Sequence, residues 1–259
     1  MKTLIAGGCR IPVTHNISDN LAEIKKAIDW ASENDVDIMS TPECALSGYM
    51  WSPKSKEDPR VVELEAAIQE VSAYAKEKKV DLVLGTAWYN SEKEWTNTQA
   101  FIIDGKVVHT YAKNLLVDPE IEHYYPGHPT TIYEYKGVRI AGLICNDAWS
   151  NPMMWPGGSA HILNRLNAQG VHFVFLSAFV PKDCEPKDVF YRWHKSQIEM
   201  FSSFGYWTTV VCDSSTDVNG TAYDGAAVCP VGVCDYNTYW IENSDSGTAY
   251  FKSEFDSQS

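Results

Sequence analysis

Three residues able to do nucleophilic and acid–base chemistry stand at matching places in the chain, each just beyond an apolar run. Cys145 follows Val138–Ile144, Lys113 follows Val107–Tyr111 (with Ala112 between), and Glu43 follows Ile38–Pro42. A thiol attacks carbon only as the thiolate, so a nucleophilic cysteine needs a base and a positive or dipolar group beside it. A glutamate and a lysine are residue types that supply these. In an α/β protein, residues at the carboxyl ends of neighbouring strands converge on one rim. The polar turn Asn146-Asp-Ala-Trp-Ser150 directly after a buried strand suits a nucleophile held out of a sheet, supported from below and open above. Taken singly, each residue has a plainer reading: Glu43 as a helix cap or surface carboxylate, Lys113 as a solvated loop lysine, Cys145 as an inert buried thiol.

The elements that must position these residues can be read from periodicity. Thr3–Val13 reads as a strand, and Ser18-Asp-Asn20 as the cap of a helix with Leu21, Ile24, Ala27, Ile28 and Ala31 on one face. Val36–Thr41 is a short strand, Pro59 to Lys79 a helix carrying Val62, Leu64, Ala67, Ile68, Val71 and Tyr74, and Asp81–Trp88 a strand. Asp104-Gly105 joins 97–103 to 107–111 as a hairpin, and Lys136-Gly137 joins 131–135 to 138–144 as another. An irregular loop is expected over 113–130. Later come a helix over 159–169, a strand at Phe173–Ser177, a helix over 188–203, and strands at 207–212, 225–229 and 231–236. From Glu242 the chain reads as a polar tail, mobile or docked on a partner. Helices alternating with strands around antiparallel hairpins predict an α/β fold, a mixed sheet covered by helices, whose two halves stack sheet on sheet. No linker or repeat divides the chain, so residues 1–259 are expected to form one domain with its core over about 3–240 and the tail over 242–259.

Composition narrows the function classes. The 44% hydrophobic and 12% aromatic content is enough for a packed core. A formal charge of −13 argues against nucleic acid or an anionic membrane as partner. The seven cysteines form no C-x-x-C pair and no Cys/His cluster at zinc spacing, which predicts reduced thiols, no metal and a cytoplasmic setting. No Gly-x-Gly-x-x-Gly, Walker loop or Gly-x-Ser-x-Gly is present, so nucleotide use and serine hydrolysis have no support.

Together the three polar residues match a family. Thr41-Pro-Glu-Cys-Ala-Leu-Ser-Gly-Tyr49 resembles the segment P-E-x-x-L-[ST]-G-Y around the general base of the nitrilase superfamily (carbon–nitrogen hydrolases). Tyr111-Ala-Lys113 resembles that family's lysine motif and Leu143-Ile-Cys-Asn-Asp147 its cysteine elbow, in the same order. Asn20–Ile24, Asn97–Gly105 and Gly225–Gly232 resemble its first helix, its hairpin before the lysine and its late strand-turn. The resemblance covers roughly residues 3 to 240.

It implies a four-layer α-β-β-α sandwich and a Glu43–Lys113–Cys145 site working without a cofactor. Glu43 would be the general base, Cys145 the nucleophile, and Lys113 with the backbone N–H of Asn146 would hold the oxyanion. Lys113 between Glu43 and Cys145 would lower the pKa of both. The family's second glutamate falls on Glu122 if Ile121-Glu-His-Tyr-Tyr-Pro-Gly127 is matched to the aliphatic-amidase segment I-E-G-W-Y-P-G, and on Glu120 if counted from Lys113; Glu122 is preferred. Tyr49 and Trp149, with Trp51, Trp155 and Phe179, are candidates to line the substrate cavity. Asn146-Asp147 is more similar to amidases and carbamoylases than to true nitrilases. Ala148-Trp-Ser-Asn-Pro152 and Leu115 depart from the usual pattern near the pocket mouth, which leaves the substrate open. The expected activity is thioester-mediated hydrolysis of a small amide or N-carbamoyl compound with release of ammonia; the alternatives are a true nitrilase and a catalytically silent member acting in binding or assembly. The resemblance also implies a homodimer or larger homo-oligomer, through helices such as 159–169 and 188–203.

Overall fold

The computed structural model describes residues 3–51, 53, 58–127, 132–149, 159–180, 187–217, 219–222, 229–243 and 247–256. The first half runs β1 (Thr3–Ile11), α1 (Ile17–Glu33), β2 (Ile38–Ser40), α2 (Pro59–Lys78), β3 (Asp81–Tyr89), β4 (Trp95–Ile103) and β5 (Lys106–Ala112). The second runs β6 (Tyr133–Tyr135), β7 (Val138–Ile144), α3 (Asn146–Trp149), α4 (Ser159–Ala168), β8 (Phe173–Ser177), α5 (Lys187–Gly205), β9 (Thr208–Ser214), β10 (Val231–Cys234), β11 (Trp240–Asn243) and β12 (Ala249–Asp256).

The strands follow the order β5-β4-β3-β2-β1-β9-β8-β7-β6, with β12 on β1 and β10 and β11 beyond β9. The chain folds this sheet back on itself, so that one half faces the other. Phe101, Val83, Ile38 and Leu4 from the first half pack with Ile140, Leu143, Phe173 and Phe175 from the second in one buried cluster. α1 and α2 cover the outer face of the first half through Ile24, Ile28, Val61, Leu64 and Val71. α4 and α5 cover the second through Leu166, Ile198 and Phe201. The result is a four-layer α-β-β-α sandwich. Among the described residues no helix is long and apolar enough to cross a membrane.

Strand direction is what brings the three candidate residues together. β1, β2 and β3 are parallel, and β1 is also parallel to β9, β8 and β7 in turn. β5 is reversed twice by antiparallel pairing through β4, and so runs the same way as β3. The carboxyl ends of β2, β5 and β7 therefore point toward one edge of the sandwich. Polar contacts across the layers set their relative height. Gln99 Nε2 donates to Phe175 O (3.0 Å) and Ser177 Oγ (2.7 Å), and Ser177 Oγ donates to Thr41 O (2.7 Å). At the opposite edge Tyr135 OH donates to Asp81 Oδ2 (2.7 Å), closing the stack.

Three expectations are corrected. The cap of α1 is Asn16, whose side chain accepts from Asp19 N, and Asn20 lies inside the helix instead. There it is buried and bridges Thr14 to the Leu46 carbonyl, tying α1 to the turn after β2. Val62 on α2 is 64% exposed, because Val61 takes the inward position. The polar tail is β12, paired antiparallel with β1 from Thr3↔Asp256 to Arg10↔Ala249. Its short alternation buries Ala249 and Phe251, enough apolar surface for an outer position in the sheet. Of the strand expected at 225–229, residues 225–228 lie outside the described residues.

Gly85 on β3 is the close approach that seats the turn bearing Glu43. A Cβ there would lie 1.9 Å from the Pro42 carbonyl oxygen, so the turn rests directly on the strand backbone. Gly85→Ala should cost about 1–3 kcal/mol in chemical unfolding, as overpacking does, and should lower any activity that depends on Glu43. Unchanged stability and activity would show that the turn is free to lift.

Candidate active site

Glu43 sits in the tight turn after β2 and is fully buried. The turn is held by Glu43 N–H donating to Ala178 O (3.2 Å) beyond β8, and by Thr41 N–H donating to Val83 O (3.1 Å). Cys44, next in the turn, takes φ 52°, a left-handed conformation uncommon outside glycine. Glu43 Oε1 accepts from Lys113 Nζ (2.8 Å) and Asn97 Nδ2 (2.7 Å). Its other oxygen, Oε2, is buried and makes no hydrogen bond among the described residues.

Lys113 leaves the end of β5 with its N–H on Asn97 O (2.8 Å) and its carbonyl accepting from Gly127 N (2.7 Å). Its ammonium is fully buried between two carboxylates, 2.8 Å from Glu43 Oε1 and 2.8 Å from each oxygen of Glu120. Glu120 closes a short 3-10 turn, Asp118–Glu120, and its Oε2 also accepts from Val117 N (2.9 Å). Two residues on, Glu122 is exposed. A tight turn carries position i+2 to another side of the backbone, so only one of the two glutamates can face Lys113. The preference for Glu122 is corrected: Glu120 is the carboxylate in the cluster.

Cys145 takes φ 43° at the end of β7, with its N–H on Ser177 O (2.8 Å). Of the six cysteines among the described residues, five are buried and Cys145 is half-buried, so this thiol alone among them is open to a small molecule. Asp147, two residues later, is fully buried and locks the elbow to the lysine loop. Its Oδ2 accepts from Tyr111 OH (2.6 Å) and Ile144 N (3.3 Å), and its Oδ1 from Asn114 N (3.1 Å) and Leu115 N (2.8 Å). Asn146 is buried, its side chain donating to Leu115 O (3.1 Å). As the first residue of α3, its own N–H belongs to the unpaired first turn, where an oxyanion can bind.

The charges do not cancel pairwise. Two carboxylates and one ammonium, all fully buried, leave an excess of acidic groups over cations. Burial accordingly pushes Glu43 up to about 8, against the lowering effect of Lys113 and with Glu120 adding to the rise. Lys113 does lower it, as expected, but desolvation outweighs the single cation and sets the net direction. Lys113 is raised well above the usual lysine range, because Glu43, Cys145 and Glu120 more than offset its own burial. Asp147 is pushed up to about 6 by burial, despite its four donors.

Tyr49 lies at the same edge, stacked on Phe179 with ring centroids 4.7 Å apart. Burial, then Glu43, Glu120 and Cys145, raise its phenol, which places it in the field of the cluster. The Trp149 side chain, Trp155 and Cys184 lie outside the described residues. The sequence places Tyr111 and Asp147 in the quoted motifs and Asn97 at the start of a hairpin, but assigns none of the three a role in the site. Asn97 and Tyr111 lie in mixed stretches, Thr96-Asn-Thr-Gln99 and His109-Thr-Tyr111, which carry no local sign that these two side chains serve the cluster. Among the described residues no group of His, Cys, Asp and Glu is arranged to hold a metal ion.

Known proteins share this arrangement of elements. Among curated proteins, the glutamine-dependent NAD(+) synthetase of Acinetobacter baylyi is 27% identical over 143 residues, covering 54% of this chain and 26% of that protein. That of Synechocystis sp. is 26% identical over 186 residues, covering 67% of this chain and 33% of that protein. The chain thus spans about a quarter to a third of the length of these relatives. Among solved structures, a variant of an amidase of the nitrilase superfamily from Nesterenkonia superposes with a TM-score of 0.78 at 17% identity, covering 98% of this chain and 91% of that one. The glutamine-dependent NAD+ synthetase of Acinetobacter baumannii superposes with a TM-score of 0.79 at 19% identity, covering 99% of this chain and 46% of that one. At these identities the superpositions speak for the fold alone. The family model for the carbon-nitrogen hydrolases matches residues 5–162, the stretch that carries Glu43, Lys113, Glu120 and Cys145, and the chain belongs to that family.

Proposed function

We propose that the protein is a cysteine-dependent hydrolase that cleaves the C–N bond of a small amide or N-carbamoyl compound and releases ammonia. The observation that carries this reading is the buried Lys113 ammonium held between Glu43 and Glu120, beside a thiol left open at a strand end. Glu43 Oε2 takes the Cys145 proton, and the sulfur attacks the carbonyl carbon. The oxyanion is met by Lys113 and by the N–H of Asn146. The intermediate collapses with cleavage of the C–N bond, the nitrogen leaving with the proton from Glu43, and a thioester remains on Cys145. Glu43 then takes a proton from water as it attacks the thioester; sulfur leaves and recovers its proton, and the acid is released. Glu120 keeps Lys113 charged and in place throughout. Related proteins are an amidase and glutamine-dependent synthetases, which favours carboxamides as the substrates to try first.

Ammonia release should be measured from a panel of aliphatic amides, glutamine and other ω-amides, N-carbamoyl compounds and matched nitriles. Turnover should be confined to one carbonyl class and lost by at least about a thousandfold in Cys145→Ala, which should stay folded. Activity surviving that change would sink the mechanism, and a nitrile consumed faster than its amide would make the protein a nitrilase.

The two glutamates separate cleanly. Glu120→Gln should lower kcat by about a hundredfold or more, since it removes a charge partner of Lys113, whereas Glu122→Gln should leave kcat and KM within about twofold. The reverse pattern would return the role to Glu122.

A base with a raised pKa also sets the pH dependence. kcat/KM should rise with pH to a midpoint near 8, where Glu43 ionises in the free enzyme. The sign for stability is opposite. Glu43 binds its proton more tightly folded than unfolded, so its stabilising contribution is full below the ordinary carboxylate range and is lost as pH rises through about 8. Glu43→Gln should therefore be inactive, and its stability relative to the parent should grow between pH 5 and pH 8.5 in thermal unfolding. A pH-independent difference would mean that Glu43 is already ionised across that range.

A further inference from the structure

Asn97 touches all three charged residues of the cluster. It lies on β4, is fully buried, and its carbonyl accepts the backbone N–H of Lys113 (2.8 Å). Its Nδ2 donates to Glu43 Oε1 (2.7 Å) and to Glu120 Oε1 (3.1 Å). Those are the two oxygens that also accept from Lys113 Nζ, each at 2.8 Å. One neutral and one charged donor thus bridge the same pair of carboxylate oxygens.

The orientation of this amide follows from its neighbours. Turned over, Oδ1 would face Glu43 Oε1, acceptor against acceptor, so the network admits only the orientation with Nδ2 inward. In that orientation Oδ1 is buried with no hydrogen bond among the described residues. A side chain that leaves one buried polar atom unmet while serving two carboxylates is placed for the site more than for the stability of the strand.

We propose that Asn97 is a positioning residue for the reaction proposed above, on whose Glu43–Cys145 proton transfer it depends. Its amide occupies Oε1 of Glu43 and Glu120, so that Oε2 of Glu43 is the oxygen left to exchange a proton with Cys145. The groups facing Glu43 are Lys113 after β5, Glu120 in the 3-10 turn, and Cys44 and Tyr49 of its own turn, while Cys145 after β7 lies in the field of Lys113 and Tyr49. Of these, Lys113 alone is a cation. Asn97 is the other donor that favours the ionised carboxylate, and it does so without adding charge.

The test reads the thiol directly and needs no substrate. Alkylation of Cys145 by iodoacetamide, located by mass spectrometry, is followed against pH in the parent, in Asn97→Leu, which keeps the bulk without the donor, and in Asn97→Ser, which is too short to span both carboxylates. The midpoint of reactivity should move up by about one pH unit in both variants. With the best amide from the panel, kcat at pH 7.5 should fall about tenfold while KM stays within about twofold. An unchanged midpoint, with any loss of rate matched by loss of folded protein, would overturn the proposal and make Asn97 a packing residue; if Asn97→Leu does not fold, Asn97→Ser decides. A parent that hydrolyses no amide would sink the hydrolase reading separately, because the alkylation midpoint is measured without turnover.

Discussion

A lysine ammonium buried between two carboxylates is the interaction on which the rest of this structure depends. Removing three ionisable groups from water costs far more than any one ion pair returns, unless hydrogen bonds satisfy what is left. The surrounding fold supplies them: Val117 N holds Glu120, Asn97 bridges both glutamates, and Ala178 O and Asn97 O hold the backbones of Glu43 and Lys113. The count of charges still comes out one negative too many. Burial above all, with the like charge of Glu120 adding to it and Lys113 opposing it, holds the Glu43 proton until near pH 8, so this carboxyl can exchange a proton close to neutral pH.

The sandwich exists, from this point of view, to hold three strand ends at one height. Each of the turns is pinned to a different neighbour. The Glu43 turn rests on the bare backbone of Gly85, the cysteine elbow hangs from Ser177 O, and Asp147 stitches that elbow to Asn114 and Leu115 beyond Lys113. The end of β8 is the common support. Ser177 O receives Cys145, Ser177 Oγ reaches Thr41 O, and Ala178 O receives Glu43. Glu43 and Cys145 are therefore registered against the same two residues, with Gln99 fastening that strand end from the facing layer. Sites built on rigid elements in this way hold their geometry better than sites on free loops.

The site also carries left-handed backbone and unmet polarity of its own. Cys44 and Cys145 adopt left-handed φ, and Glu43 Oε2, Asn97 Oδ1 and Gln99 Oε1 are buried without hydrogen bonds among the described residues. All five features lie within the turns and strands that carry the cluster. At the opposite edge Tyr135, Lys136, Asp37 and Asp81 form a clasp whose contacts close the two layers.

Much of this was legible in the chain itself. Apolar runs ending in Glu43, Lys113 and Cys145 are local patterns, and hairpin signals at Asp104-Gly105 and Lys136-Gly137 set strand directions through two-residue turns. Those are properties of neighbouring residues, so the sequence determined them alone, together with the layered α/β class and the family motifs. Tertiary structure decided what depends on contacts between distant segments. Glu120 and Glu122 look alike in a loop, and only the 3-10 turn against Val117 puts one inward and the other in solvent. Residues 249–256 look like a tail until β1 offers an edge with backbone groups to pair. Asn97 and Asp147 gain their meaning from partners that lie 54 and 23 residues away in one case and 36 in the other. The proton held by Glu43 is likewise a tertiary property: a pKa is set by the dielectric and the charges around a group, and no sequence pattern carries those until the chain has closed over them.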